Sequence, residues 1–241
     1  MSDTERGFYK EHGRSDAAKL VLLGLNLAGV LVGAWLLFGG ARVFGGGPLF
    51  GGAPLFGGLF QQAESVRRVL IVTCSFVYFL RIIMTTYVMV KRRVSYGEGF
   101  GVGLWIVAIH LTMACLGGMN TTPVGAATWC GVALYVIGSA TNTASEYLRK
   151  RWKDDPSHAG KLYTGGLFRF AVHINYFGDV VLFSGFALVT GVVWAFVIPA
   201  LMAALFIFVN IPMLDRHLAE HYGEPFERYR RRTARFVPFV Y

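Results

Sequence analysis

Along this chain, apolar runs of spanning length alternate with short polar stretches, and glycine and proline gather at the joints. About 20 apolar residues suffice to cross a hydrocarbon core of ~30 Å. Residues 20–38 predict a first spanning helix, residues 69–90 a second and residues 102–119 a third. Pro123 opens a fourth, which continues helically towards Arg149. Residues 180–212 then stay apolar for thirty-three positions. At 1.5 Å per residue that is ~50 Å of helix, long for one span and short for two.

Charge chooses between these. A hairpin pinched near Thr190-Gly191 puts the basic tail on the same side as the basic stretch 149–161, whereas a single span separates them. With the hairpin, the polar N-terminus, Lys91-Arg92-Arg93, residues 149–161 and the tail all share the cytoplasmic face. Arg67 and Arg68 dissent. The expected fold is therefore an all-α polytopic helical membrane protein of about six transmembrane helices, or seven, with both termini cytosolic. Residues 1–19 form a polar N-terminal segment and residues 20–241 one membrane domain, of which 213–241 is a cytosolic tail.

Composition agrees. The chain is 54% hydrophobic and 15% charged, with mean hydropathy +0.49, whereas soluble domains carry nearer ~25% charged residues. The net charge of +9 sits largely in loops beside the membrane, and no nucleic-acid motif accompanies it. A basic surface also suits an anionic cofactor such as a phosphorylated dinucleotide. Cys74, Cys115 and Cys130 all fall in apolar segments, with no CxxC pair and no metal-ligand spacing. The first nineteen residues, with Glu5, Glu11 and Asp16, are too acidic and too long for a signal-peptide n-region, so the first span is expected to be retained.

Between the first two spans, PLFGG occurs twice, at 48–52 and 54–58, in a stretch too rich in glycine and proline for a regular helix. An interfacial loop left by a short duplication is the plain reading; a lid over a lipid entrance is the other. Tyr78 and Arg81, three residues apart, share one face of the second helix. His110, midway along the third, reads as a packed histidine bonded to a neighbour. Gly138, Asn142 and Glu146 recur every fourth residue, either as a packing notch with two polar groups leaving the bilayer or as the lining of a cofactor cleft. The polar stretch 161–179 collects Lys161, Arg169, His173, Asn175, Tyr176 and Asp179 behind the turn-forming Gly165-Gly166. So many hydrogen-bonding groups beside a bilayer are costly unless they bind something or one another. The tail reads, on charge alone, as a solvated or lipid-surface helix with a basic aromatic end.

Several stretches together resemble the membrane-embedded steroid 5α-reductase-like family, whose superfamily also holds sterol reductases and isoprenylcysteine carboxyl methyltransferases. Tyr78-Phe79-Leu80-Arg81 is similar to the reductases' Tyr-x-x-Arg, and Gly138-x-x-x-Asn142-x-x-Ser145-Glu146 to their G-x-x-x-N-x-x-S-D. Gly165-Gly166-Leu167-Phe168 and Asn175-Tyr176-Phe177-Gly178-Asp179 resemble G-G-L-F…N-Y-F-G-E, and Pro238-Phe239-Val240-Tyr241 the terminal P-F-[IV]-[FY].

The resemblance implies a 3-oxo-5α-steroid 4-dehydrogenase-like reductase that uses NADPH on a carbon–carbon double bond conjugated to a carbonyl. It implies a lipophilic steroid-like or polyprenoid substrate entering from the bilayer, with membrane lipids as the other partners. Tyr78 takes the role of the catalytic phenol. Glu64 is the nearby candidate for its carboxylate partner, with Gln61 and Gln62 competing for that place. Asn142, Glu146, Lys161, Arg169, His173, Asn175, Tyr176 and Asp179 take the cofactor site, and no metal is expected. The membrane would be endoplasmic reticulum in a eukaryote and inner membrane in a bacterium.

The rival reading is an S-adenosylmethionine-dependent methyltransferase of the isoprenylcysteine type, whose arm reads R-x-x-R-H-P-x-Y-x-G before a pair of glutamates. Arg169, His173, Tyr176 and Gly178 fit it; Val172, Ile174 and Leu214-Asp215 depart from it. A non-enzymatic membrane scaffold is the third class.

Overall fold

The computed structural model describes residues 16–39, 55–89 and 93–240. The first PLFGG copy, Lys91, Arg92 and Tyr241 lie outside them. Among the described residues, eight α-helices follow one another: α1 Asp16–Phe38, α2 Ser65–Met84, α3 Tyr96–Met119, α4 Ala126–Lys153, α5 Ile174–Thr190, α6 Val197–Leu205, α7 Ile211–Tyr222 and α8 Glu224–Arg230. No strand forms among the described residues. The protein is a polytopic helical membrane protein. By length and composition Asp16–Phe38, Ser65–Met89, Tyr96–Met119 and Val193–Tyr222 are each able to cross a membrane, and the shorter Ile174–Thr190 is also apolar.

Local chemistry sets the helix ends. Gly39, at φ +72°, ends α1 where a Cβ would be strained. Ser95 caps α3 by accepting from Glu98 N at 3.1 Å, the S-x-x-E arrangement of a capping box. Gly191, at φ +69°, turns the chain directly after α5, at the place where the charge pattern expects a pinch. A π-turn at Phe206–Asn210 joins α6 to α7. It falls just before Pro212, whose missing N–H removes one i−4 bond from the ladder.

The chain packs as two compact units. One comprises Met1–Ala126 with Val189–Ala195, the other Ala127–Leu188 with Phe196–Tyr241. In the first, α1 lies along α3, with Gly29 against His110 and Gly33 against Ala114. His110 is buried and its Nε2 lies 2.9 Å from Asn26 Oδ1, the packed role expected of it. Arg67 is also buried: it donates to the carbonyls of Val189 (2.8 Å), Thr122 (3.0 Å) and Pro123 (3.3 Å). Arg68 donates to Leu37 O at 3.1 Å. Both arginines bind carbonyls at helix ends and turns.

In the second unit α4 and α5 meet backbone to backbone. A Cβ on Gly138 would lie 2.3 Å from Leu182 N, one on Gly178 2.7 Å from Asn142 N, and one on Gly185 2.4 Å from Tyr135 N. Small residues permit this approach where lipid supplies no hydrophobic drive between helices. The packing-notch reading of Gly138 is therefore correct. Large apolar side chains such as Leu31, Phe76, Leu104, Trp129 and Phe208 cover the outside, as hydrocarbon as a solvent requires.

Candidate active site

The described residues of the second unit enclose a cavity of about 150 Å³ lined by Arg149, Lys153, Leu162, Tyr163, Phe168, Val172, His173, Asn175, Leu214, Leu218, Tyr222 and Tyr229. Four pieces of chain build it: the basic end of α4, the segment 162–175, α7 and α8. The tail is held in place rather than spread on lipid. Val172 N donates to Ala234 O at 2.8 Å and His173 N to Arg235 O at 3.0 Å. Phe226 and Phe236 are buried, and Tyr229 donates its hydroxyl to Phe168 O at 2.5 Å. These bonds overturn the solvated-tail reading, because inward-facing aromatics outweigh the basic face that dominates the sequence.

The electrostatics divide into two edges. On one, Arg149 Nη2 lies 2.5 Å from Glu146 Oε2, and Lys153 Nζ reaches Tyr222 Oη at 2.7 Å and Lys161 O at 2.6 Å. Glu146 Oε1 is buried with no hydrogen-bond partner. On the other, His173 Nε2 lies 2.7 Å from Asp215 Oδ1, and Arg235 Nε lies 2.9 Å from Asp215 Oδ2. His173 and Asp215 are 1% and 5% exposed, so this is an interior network and no surface pair.

The expected cofactor residues disperse. His173 and Asn175 line the cavity. Glu146 stands behind it through Arg149. Asn142 is buried and donates to Asn175 O at 2.9 Å, which makes it a clamp between α4 and α5. Tyr176 stacks on Phe206 with ring centroids 4.4 Å apart. Asp179, half-buried, lies one turn beyond Asn175 on α5. Lys161 and Arg169 are exposed and absent from the lining. Arg149 and Lys153, one turn apart on α4, supply the cations in their place. Asp215, Arg235 and Tyr163 are not among the expected site residues, although Leu214-Asp215 stands where a methyltransferase has its glutamates.

The catalytic expectations fare unevenly. Tyr78 is buried on α2 in the first unit, edge-on to His110 with centroids 5.9 Å apart, and the Arg81 guanidinium lies 5.3 Å from its ring centroid. Glu64 does not join it. It precedes α2, is exposed, and accepts from Val124 N at 3.1 Å. Fourteen residues of helix separate the two by roughly 21 Å, so Glu64 cannot be the carboxylate partner of Tyr78. Gln61 donates to Leu36 O at 2.7 Å instead.

Comparison with known proteins adds relatives. The family described as "Protein of unknown function (DUF1295)" matches residues 99–233, more than half of the chain. The chain is 28% identical over 111 residues to the pig 3-oxo-5-alpha-steroid 4-dehydrogenase 2 and 27% over 111 residues to the human one, covering 46% of this chain and 42% of each relative. The rat 3-oxo-5-alpha-steroid 4-dehydrogenase 1 is 29% identical over 110 residues, 46% of this chain and 40% of the relative. A probable O-methyltransferase, ustE of Ustilaginoidea virens, is 39% identical over 61 residues, 25% of this chain and 22% of the relative. The matches thus span less than half the length of these relatives.

Proposed function

Because the chain belongs to the DUF1295 family and is similar over 46% of its length to steroid 4-dehydrogenases, we propose that it is a membrane-embedded, NADPH-dependent reductase of conjugated carbon–carbon double bonds in lipophilic substrates. The observation that carries this reading is the cavity of the second unit, with Arg149 and Lys153 at one edge and His173 and Asn175 at the other. Two cations beside a hydroxylated aromatic wall suit a phosphate, and Glu146, behind the cavity, holds Arg149 in place. The residues therefore fit a phosphorylated part of the cofactor. At about 150 Å³ the cavity takes that part of a dinucleotide and not the whole; pockets for drug-sized ligands run ~300–1,000 Å³.

When bound, NADPH supplies the hydride. The chain's own residues then have three tasks. Arg149 and Lys153 hold phosphate by charge. Asn175 offers an amide that can accept and donate at once. Tyr78, by resemblance, donates its hydroxyl to the substrate carbonyl as negative charge gathers on that oxygen, an effect that is largest in a dry, preorganised setting.

The methyltransferase reading keeps one specific support, the 39% identity to ustE. Thermal stabilisation of the detergent-purified protein separates the two. A ligand at about a hundred times its Kd adds ~2.7 kcal/mol. NADPH is expected to raise the melting temperature and S-adenosylmethionine to leave it unchanged, and the reverse result assigns the chain to the methyltransferases. Arg149→Ala and Lys153→Ala should each weaken NADPH binding, with a smaller salt dependence than the parent protein.

A further inference from the structure

The cavity has a feature that its cationic edge does not explain: an interior carboxylate shared by an imidazole and a guanidinium. Asp215 comes from α7, His173 directly precedes α5, and Arg235 comes from the tail, beyond α8. Asp215 could have been paired by either group alone. Arg235 already neutralises its charge, so the imidazole need not be a cation to stay beside it. A carboxylate oxygen only accepts, so Nε2 must carry the proton that bridges the 2.7 Å to Oδ1. That leaves Nδ1 as the ring's other polar atom, and in the neutral ring Nδ1 accepts. The backbone also ties the two segments together, since His173 N donates to Arg235 O at 3.0 Å. Tyr176 stacks on the imidazole at 5.7 Å with planes 9° apart, which limits its rotation.

We propose that Asp215 and Arg235 are positioning residues that hold His173 as the Nε2–H tautomer, so that the C-terminal tail completes the pocket and Nδ1 is offered to a hydrogen-bond donor on the ligand. The pocket then reads two chemistries: a phosphate at Arg149 and Lys153, and a hydroxyl or carboxamide N–H at His173 Nδ1. This rests on the cofactor reading given above for its ligand, but not for its tautomer. Metal-bound and catalytic histidines are oriented by the same second-partner logic, in which the group on one nitrogen decides what the other can do.

The test uses the full chain in detergent with ¹⁵N-labelled histidine, and His173 is assigned by its loss in His173→Gln. At pH 8 without ligand, the two ring nitrogens of His173 should give one N–H-type and one lone-pair-type ¹⁵N shift, with the proton on Nε2. In Asp215→Asn that tautomer should give way to a mixture, and NADPH affinity should fall at least tenfold. Should Asp215→Asn fold poorly, the charge-free pair Asp215→Asn/Arg235→Gln makes the same measurement. A His173 protonated on Nδ1, or on both nitrogens, in the ligand-free parent overturns the proposal. So does a variant that keeps the parent's tautomer or the parent's NADPH affinity. Failure of the parent protein to bind NADPH overturns the ligand assignment while the tautomer signature, read without ligand, still decides the positioning role.

Discussion

The hydroxyl of Tyr229 donates to the carbonyl oxygen of Phe168 at 2.5 Å, joining helix α8 to the segment that leads into α5. Tyr229 is 7% exposed and Phe168 4%, so neither group has water as an alternative. Tyr229→Phe keeps the ring and leaves a buried carbonyl unpaired, at an expected cost of ~1–3 kcal/mol, read as a lower melting temperature in detergent. Burial also pushes the Tyr229 phenol above its ordinary range. Its folded value lies above its unfolded one, so its contribution is complete below pH ~10 and is lost as pH rises beyond that. The parent should therefore lose stability above pH ~10 more steeply than Tyr229→Phe.

Gly138 lies where the backbone of α4 meets that of α5. The Cβ of alanine would meet the Leu182 backbone nitrogen at 2.3 Å, and backbone cannot step aside as a side chain can. Gly138→Ala is expected to destabilise by ~1–3 kcal/mol. Gly24→Ala, on α1 with nothing within 4 Å of the new methyl, is the matched control and should be neutral or slightly stabilising. Equal melting shifts for the two would show that the α4–α5 approach contributes nothing.

For Tyr78 the question is whether the hydroxyl or the ring matters. Tyr78→Phe preserves the edge contact with His110. A hydroxyl that stabilises developing charge on substrate oxygen should cost on the order of 10²–10³ in kcat when removed. NADPH affinity should persist, since the cofactor groups proposed above all lie in the second unit. The check is single-turnover reduction of an accepted enone alongside NADPH binding, and near-normal turnover sinks the catalytic role.

Topology can be tested from one contact. Lys153 Nζ reaches Tyr222 Oη at 2.7 Å, and Val172 pairs with Ala234, so the basic segment after α4 and the tail lie together, as the hairpin expects. Cysteine labels introduced at Ser157 and Thr233 should react from the same face of the membrane, and the basic loops predict that this face is cytosolic. Opposite labelling would remove the hairpin.

Much of this architecture was already written locally. Hydropathy located the first three apolar helices, Gly191 marks the turn after α5, and the S-x-x-E at Ser95 the start of α3, because each depends on residues near one another along the chain. The fourth expected span, α4, is not among the helices apolar enough to cross a membrane. The motif order likewise pointed to the stretch around His173 before any packing was known. What the tertiary structure decided involves partners far apart along the chain. Arg67 looks like a loop charge until it meets Val189, 122 residues on. Glu64 looks close to Tyr78 until an intervening rigid helix fixes their separation. Lys161 and Lys153 are equal candidates by composition, and only the way Lys153 reaches Tyr222 turns the latter into the cavity. Asp215 is one of four acids in a basic tail until α7 carries it, buried, to His173 and Arg235. A carboxylate's role depends on which charges and donors share its low-dielectric surroundings. That neighbourhood is a property of packing, which no periodicity encodes.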